Sequence, residues 1–376
     1  MTNNPRYTLG TEANRIFMAS ETYELLKFGK GFPAPDGGSG WLNADGTLDP
    51  SHGVETWITS RMAHVYSIGA MLGYLGAGEL ADAALKGLTG ILHDDEHGGW
   101  YPQVFADGTH APGKVCYAHA FVILAASSAL LAGRPGAKEL LDEALATYDK
   151  HFWDDEIGLA VDTWNTEFTE LDSYRGINAN MHTTEAFLAV ADVAGNEEYR
   201  ERAGRIIDHV VGWAANNNWR IPEHFTADWQ PIGNYRGQNS NMHLTEALMA
   251  AFEATGERSY LDKAESIADL IIRRRAGEGV AAYLAENERL DEAIALCEKR
   301  LDVISRMSLL PGPPPGYIDQ QYGYLYSKLA WYYLQNGQSE KAAETARKYQ
   351  STGFAQSQAG QTEIVPYLLG TRQYHK

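Results

Sequence analysis

Two stretches 61 residues apart repeat one another almost word for word, YRGINANMHTTEAF at 174–187 and YRGQNSNMHLTEAL at 235–248. A repeat of that period constrains the fold strongly, because each copy is one supersecondary unit that buries its apolar face only by stacking on a neighbour. The surrounding periodicity is helical. GVETWITSRMAHVYSIGAMLGYL (53–75) sets apolar residues at spacings near three and four. AHAFVILAASSALLAG (118–133) and EAFLAVADVAG (185–195) are rich in Ala and apolar on most faces, the mark of a buried helix. EEYRERAGRIIDHVVGWAA (197–215) and RSYLDKAESIADLIIRRR (258–275) are amphipathic, and each follows a buried helix after a short GNE or GER loop. Inner helix, short loop and outer helix recur at about 50–60 residues, which predicts an all-α chain of stacked helical hairpins.

Aromatic, Gly-rich links join the hairpins: DEHGGWYPQVFADGTHAPGK, FWDDEIGLAVDTWNTEF and NWRIPEHFTADWQPIGNYRG. They read as short strands or turns at one rim of a ring of helices, with Trp57, Trp100, Tyr101, Trp164 and Trp229 placed near that rim. The character changes after about residue 275. AENERLDEAIALCEKRLDVISRM (285–307) is a polar amphipathic helix, and PGPPPG (311–316) is a hard break. YLYSKLAWYYLQNGQSEKAAETARKYQ (324–350) reads as a tetratricopeptide-like hairpin, with Gly337 at the turn and Ala342 and Ala343 on the second helix. The expected organisation is a barrel-like domain over 1–275 and a helical-hairpin segment over 276–376.

With 44% hydrophobic residues in 376, the chain can build a large core. A formal charge of −18 without a long basic run argues against nucleic acid and anionic membranes, whose binding needs clustered Lys and Arg. No apolar run reaches the length of a membrane span. Cys116 and Cys297 are far apart in apolar stretches and fit neither a metal spacing nor a disulfide framework. MTNNPRYTLGTEANR lacks the basic and apolar regions of a secretory signal, so the expected address is cytoplasmic by default. No nucleophile elbow, Walker loop or dinucleotide fingerprint is present, which points to side-chain acid–base chemistry without a nucleotide.

On a helix, Asn178, His182 and Glu185 fall at i, i+4 and i+7 and share a face; Asn239, His243 and Glu246 repeat it. Polar groups in Ala-rich segments cost a few kcal/mol unless hydrogen-bonded. They therefore bond to one another as core ties, or they line a wet pocket. Asn offers donor and acceptor together, His moves a proton near neutral pH, and Glu orients the imidazole. A polyhydroxyl ligand suits that set. A metal reading of His-x-x-Glu lacks the two further carboxylates of di-metal bundles. In ETWITSRMAHVY, Trp57 and Arg61 are four residues apart, with His64 a turn further on. Arg61 either pairs with a carboxylate, Glu55 or Glu185, or binds sugar oxygens and stabilises an enediolate. YAHAF adds Tyr117 and His119.

SHGVETWITSRMAHVYSIG, GGWYPQV, YRGINANMHTTEAFLAVADV and IPEHFTADWQPIGNY together resemble the N-acylglucosamine 2-epimerase superfamily, nearest its mannose isomerase and sulfoquinovose isomerase branch. The resemblance runs over about residues 8–235, and the second copy carries it to about 275. It implies an (α/α)6-barrel-like toroid, complete or incomplete, with a central pocket. It also implies cofactor-independent aldose–ketose isomerisation of a mannose-type sugar, with histidines moving a proton between C1 and C2 through a cis-enediol. By matching position it puts Trp57, Arg61, Tyr117, His119, Asn178 and His182 in the pocket, His182 near the ring oxygen. His243 and Glu246 match the proton-shuttling histidine and its glutamate. Glu185 and Asn239 join the substrate-binding set through the shared face. The family's late catalytic histidine has no counterpart, since His375 alone follows His243. A sugar 2-epimerase, and a non-catalytic helical-repeat protein that binds a sugar or a peptide, remain alternatives. The expected partner is a small sugar, with homo-oligomerisation left open.

Overall fold

Short antiparallel strand pairs set where the long helices begin. In the computed structural model, which describes residues 5–8, 10–217, 219–233, 238–275, 289–307 and 317–356, these pairs are two residues long. Val54–Glu55 pairs with Gln103–Val104, Lys114–Val115 with Thr163–Trp164, and Arg175–Gly176 with His224–Phe225. Each joins the entry of one helix to the link that follows the next hairpin. Cα-contact grouping gives two compact units, Thr2–Ile267 and Ala268–Lys376.

The first unit opens with α1 (Glu12–Gly29), whose N-cap Thr11 accepts the Asn14 N–H at 3.1 Å. Hairpins follow: α2 (Thr56–Met71) with α3 (Ala77–Leu88), α4 (Cys116–Leu131) with α5 (Ala137–His151), and α6 (Ile177–Ala194) with α7 (Glu197–Ala215). Next come α8 (Gln238–Thr255) and α9 (Arg258–Arg275), of which the residues up to Ile267 belong to this unit. The inner helices pack side by side in chain order, α2 on α4, α4 on α6 and α6 on α8. In α4, flanked on both sides, thirteen of sixteen residues are buried, which is why its sequence is apolar all round. At the end of the row, α2 leaves Val65, Ile68, Met71 and Leu72 exposed.

The true repeat is 60–61 residues, and the backbone shows it more regularly than the sequence does. The N–H groups of Thr56, Cys116 and Ile177, which open α2, α4 and α6, donate to the carbonyls of Pro102, Asp162 and Glu223 at 3.0, 2.7 and 3.2 Å. These bonds satisfy helix-terminal donors. A second series runs the other way. The N–H groups of Ser39, Trp100, Ala160 and Ile221 donate to the side chains of Thr59, His119, Asn180 and Asn241 at 2.9, 3.2, 2.8 and 3.4 Å. Every inner helix thus clamps the preceding link from the same position, whatever side chain stands there.

Some links lie deeper than the sequence suggests. Trp100 is fully buried, with its indole N–H donating to Leu88 O at 2.7 Å, and Trp229 packs under Trp213 and Phe225. Neither is a rim aromatic. Lys114 and Asp94 form a fully buried ion pair at 2.7 Å, and the Lys114 ammonium sits over the Tyr101 ring.

In the second unit, α10 (Leu290–Met307), α11 (Tyr317–Gln335), α12 (Ser339–Gln350) and the short α13 (Gly353–Gln356) share a core that includes Ala293, Cys297, Leu325, Leu329, Tyr332 and Ala342. Gly337, at φ +74°, makes the α11–α12 turn in the left-handed region that glycine tolerates. The PGPPPG segment and His375 lie outside the described residues. Cys116 and Cys297 are buried and not joined in a disulfide. No helix among the described residues is long and apolar enough to cross a membrane.

Candidate active site

Because the inner helices repeat at 60–61 residues, equivalent positions form tiers across the row. Trp57, Tyr117, Asn178 and Asn239 fall in the first turn or at the second residue of α2, α4, α6 and α8. One turn on come Arg61, Phe121, His182 and His243, and then His64, Leu124, Glu185 and Glu246. The second and third tiers wall a cavity of about 610 Å3, with Val65, Met181, Met242, Ala247 and Ala250 completing the lining.

The first tier stands above that cavity. Asn239 Nδ2 donates to Asn178 Oδ1 at 3.2 Å, and both residues are exposed. The two copies of the phrase therefore bond to each other at the rim. The Trp57 ring lies 6.2 Å from the Tyr117 ring, and the Trp57 indole N–H donates to Glu55. Tyr117 accepts a hydrogen bond from the Arg61 guanidinium at 3.2 Å and meets the His182 ring edge-on at 5.1 Å. Burial raises the Tyr117 hydroxyl above its usual pKa, partly offset by the Arg61 charge.

Neither carboxylate proposed for Arg61 pairs with it. Glu55 is held by the indoles of Trp41 and Trp57, and Glu185 bonds His182. The Arg61 guanidinium lies over the Phe121 ring at 4.4 Å and the Trp57 ring at 5.1 Å. Aromatic faces accommodate a guanidinium while leaving its N–H groups for a ligand.

In the second tier the rings of His182 and His243 meet at 4.5 Å and 68°. His182 Nδ1 lies 3.2 Å from Glu185 Oε2, and His243 Nδ1 lies 3.0 Å from Glu246 Oε2. Burial pushes the His182 pKa down and outweighs Glu185, so the imidazole is neutral. Burial also raises Glu185, but the His182 hydrogen bond and the nearby Arg61 charge work against it, and the carboxyl ends below its usual pKa. A carboxylate only accepts, so the His182 proton sits on Nδ1 and leaves the Nε2 lone pair free. That Nε2 is buried and has no hydrogen-bond partner among the described residues.

His119 lies apart from this group. It is buried, with Nδ1 2.8 Å from Val115 O and Nε2 accepting the Trp100 N–H. Burial takes its pKa down to about 3. Its place is the link-clamping position shared with Thr59, Asn180 and Asn241, and Gly99 has no room there for a Cβ, which would come 2.7 Å from His119 Nε2. Asn180 and Asn241, which the sequence reading passed over, are the architectural half of the repeated phrase. The 60–61 residue period, applied backward from His182 to Phe121 and Arg61, is the signal that finds the whole cavity wall. Among the described residues no group of three or more His, Cys, Asp or Glu side chains could hold a metal ion.

The inner helices thus present paired histidines, each backed by a carboxylate, on an (α/α)6-barrel-type fold. The solved structures most like this chain include a crystal structure of D-mannose isomerase (TM-score 0.63, 21% identity, covering 89% of this chain and 85% of that one). Another is cellobiose 2-epimerase from Bacillus thermoamylovorans B4167 (TM-score 0.63, 16% identity, 89% and 86%). They establish the fold. The N-acylglucosamine 2-epimerase family model matches residues 37–235 and 230–312, and the chain belongs to that family. The second match runs past residue 275, where the sequence reading ended the family's part. The chain is 44% identical over 225 residues to D-mannose isomerase from Thermobifida fusca, covering 59% of this chain and 55% of that protein. It is 39% identical over 232 residues to D-mannose isomerase from Pseudomonas cannabina pv. alisalensis, covering 61% and 56%. The chain spans about half the length of these curated relatives.

Proposed function

We propose that this chain is a cofactor-independent aldose–ketose isomerase of mannose-type sugars. The observation that carries the reading is the pair of carboxylate-backed imidazoles, one with an Nε2 that has no partner among the described residues, inside a cavity of small-molecule size. In the open-chain aldose, His243 takes the C2 proton while Arg61 stabilises the negative charge that develops on oxygen. O1 gains a proton as the cis-enediol forms; His243, its proton exchanging with solvent, then protonates C1 as the O2 proton is lost, giving the ketose. His182 serves the ring-oxygen end and opens the sugar. Proton abstraction beside a carbonyl suits an imidazole whose far nitrogen is held by a carboxylate, as Glu246 holds His243 at 3.0 Å.

The placement of the rings favours isomerase over 2-epimerase. Rings in contact at 4.5 Å leave no space for a sugar carbon between them, so both reach the substrate from one side. Transfer between C1 and C2 needs one face, whereas epimerisation needs proton donors on both faces of the same carbon.

Incubation with D-mannose in D2O, followed by proton NMR, tests the reading. The expected outcome is fructose carrying deuterium at C1. Glucose without ketose instead indicates the epimerase, and sugar binding without exchange indicates the non-catalytic alternative.

A further inference from the structure

A third imidazole faces the same cavity, and the reaction above does not use it. His64 stands in the third tier, on α2, where α4, α6 and α8 carry Leu124, Glu185 and Glu246. Its Nδ1 lies 2.6 Å from the hydroxyl of Ser128 on α4. Ser128 belongs to the next tier, whose other members are Ile68, Ala189 and Ala250, so it is the one polar residue of its tier. Four other hydroxyls of the inner helices bond back to their own helix: Ser127 to Ile123 O, Thr183 to Ala179 O, Thr184 to Asn180 O and Thr245 to Asn241 O. The Ser128 hydroxyl instead crosses to His64. A hydroxyl in an otherwise apolar tier is costly unless it finds a partner, and here the partner is on the next helix.

Burial lowers the His64 pKa in spite of the Glu185 charge, so its ring is neutral and carries one N–H and one lone pair. With Nδ1 engaged by Ser128, Nε2 has no hydrogen-bond partner among the described residues. His64 is three residues beyond Arg61, about 5 Å further along the helix axis. That offset matches the distance from the reacting carbons of a hexose to the hydroxyls at its far end.

We propose that His64, oriented by Ser128, is a substrate-binding residue whose Nε2 hydrogen-bonds a sugar hydroxyl beyond C3, fixing the chain so that C1 and C2 meet the His182–His243 pair. The proposal rests on the isomerase reading for the identity of the sugar, but binding alone tests it. Titration calorimetry with D-mannose and D-fructose is run on the wild type and on His64→Leu, His64→Gln and Ser128→Ala. Leucine is the residue of the equivalent position 124, so the first variant suits the local packing, and a melt confirms its fold.

His64→Leu is expected to weaken sugar binding about tenfold, the loss of one good hydrogen bond. His64→Gln, whose amide reaches to the place of Nε2, recovers most of that loss. Ser128→Ala falls between, because the ring is kept and its orientation is not. In turnover the loss appears as a raised KM more than a lowered kcat. A folded His64→Leu protein that binds D-mannose with wild-type Kd overturns the proposal, as does Gln giving no recovery. A wild type that binds D-mannose yet forms no fructose removes the isomerase reading and leaves His64 to be judged by Kd. A wild type that binds neither sugar overturns both.

Discussion

An imidazole serves as a base in a buried site only if something holds its proton on the far nitrogen. Glu185 and Glu246 do this for His182 and His243 across one helical turn, at i+3. His243→Ala is therefore expected to reduce kcat by at least about a hundredfold, with the far-ultraviolet circular dichroism unchanged; wild-type turnover in that variant removes the role assigned to it. His182→Ala is expected to raise KM and lower kcat together, because the ring touches both Tyr117 and His243. A second residue makes a prediction about pH. Burial pushes the Asp162 carboxyl up to about 7, against the Gly176 N–H bond that it accepts at 2.7 Å and the Arg175 charge. Its folded pKa exceeds the unfolded value of about 3.9. The folded state thus holds the extra proton between those values, and stability falls as pH rises from about 4 to 7. Asp162→Asn is expected to raise stability at pH 8 by about 2–4 kcal/mol, the gain shrinking toward nothing near pH 4, as read from thermal melts across that range.

At the scale of elements, the clamp between inner helix and link holds the repeat together. Asn180 Oδ1 accepts the Ala160 N–H at 2.8 Å, and its Nδ2 donates to Ala160 O and Gly176 O at 2.9 and 3.1 Å, all of it buried. Asn180→Ala strands those backbone groups and is expected to cost about 2–4 kcal/mol, measured as a lower urea midpoint with an unchanged slope. Asn241→Ala is expected to cost less, since its bond from the Ile221 N–H is stretched to 3.4 Å. The Arg-Gly of the phrase is also architecture. Arg175 donates to Asp172 O and Tyr174 O, both at 2.6 Å, while a Cβ on Gly176 would come 2.9 Å from the Tyr174 hydroxyl and 3.0 Å from Asp162. The matching Arg236 and Gly237 lie outside the described residues.

For the molecule as a whole, the residues of the cavity belong to the first compact unit, which carries the clamped hairpins and its own core. A chain ended after Arg275 is expected to keep a single cooperative melt, followed by circular dichroism at 222 nm; a broad, non-cooperative loss of signal shows instead that this unit depends on residues beyond it. The second unit has its own apolar core around Cys297, Leu329 and Tyr332, and the hairpin turn at Gly337 falls where the Gly and the helical periodicity put it.

Local spacing alone determined the helical class, the repeat, and the pairing of each histidine with its glutamate, because a helix fixes which residues share a face whatever surrounds it. The lone pair left on His182, the bond between Asn178 and Asn239, the clamp duty of His119 and the reach of Ser128 to His64 were decided only by tertiary structure. Each depends on what a face meets some 60 residues away, or on how deeply it is buried. The sequence left Arg61 either a carboxylate partner or a ligand, and the fold gave it two aromatic faces and a tyrosine hydroxyl. Spacing carries no information about which of those partners an opposing helix will bring, and close packing of neighbouring repeats settles it.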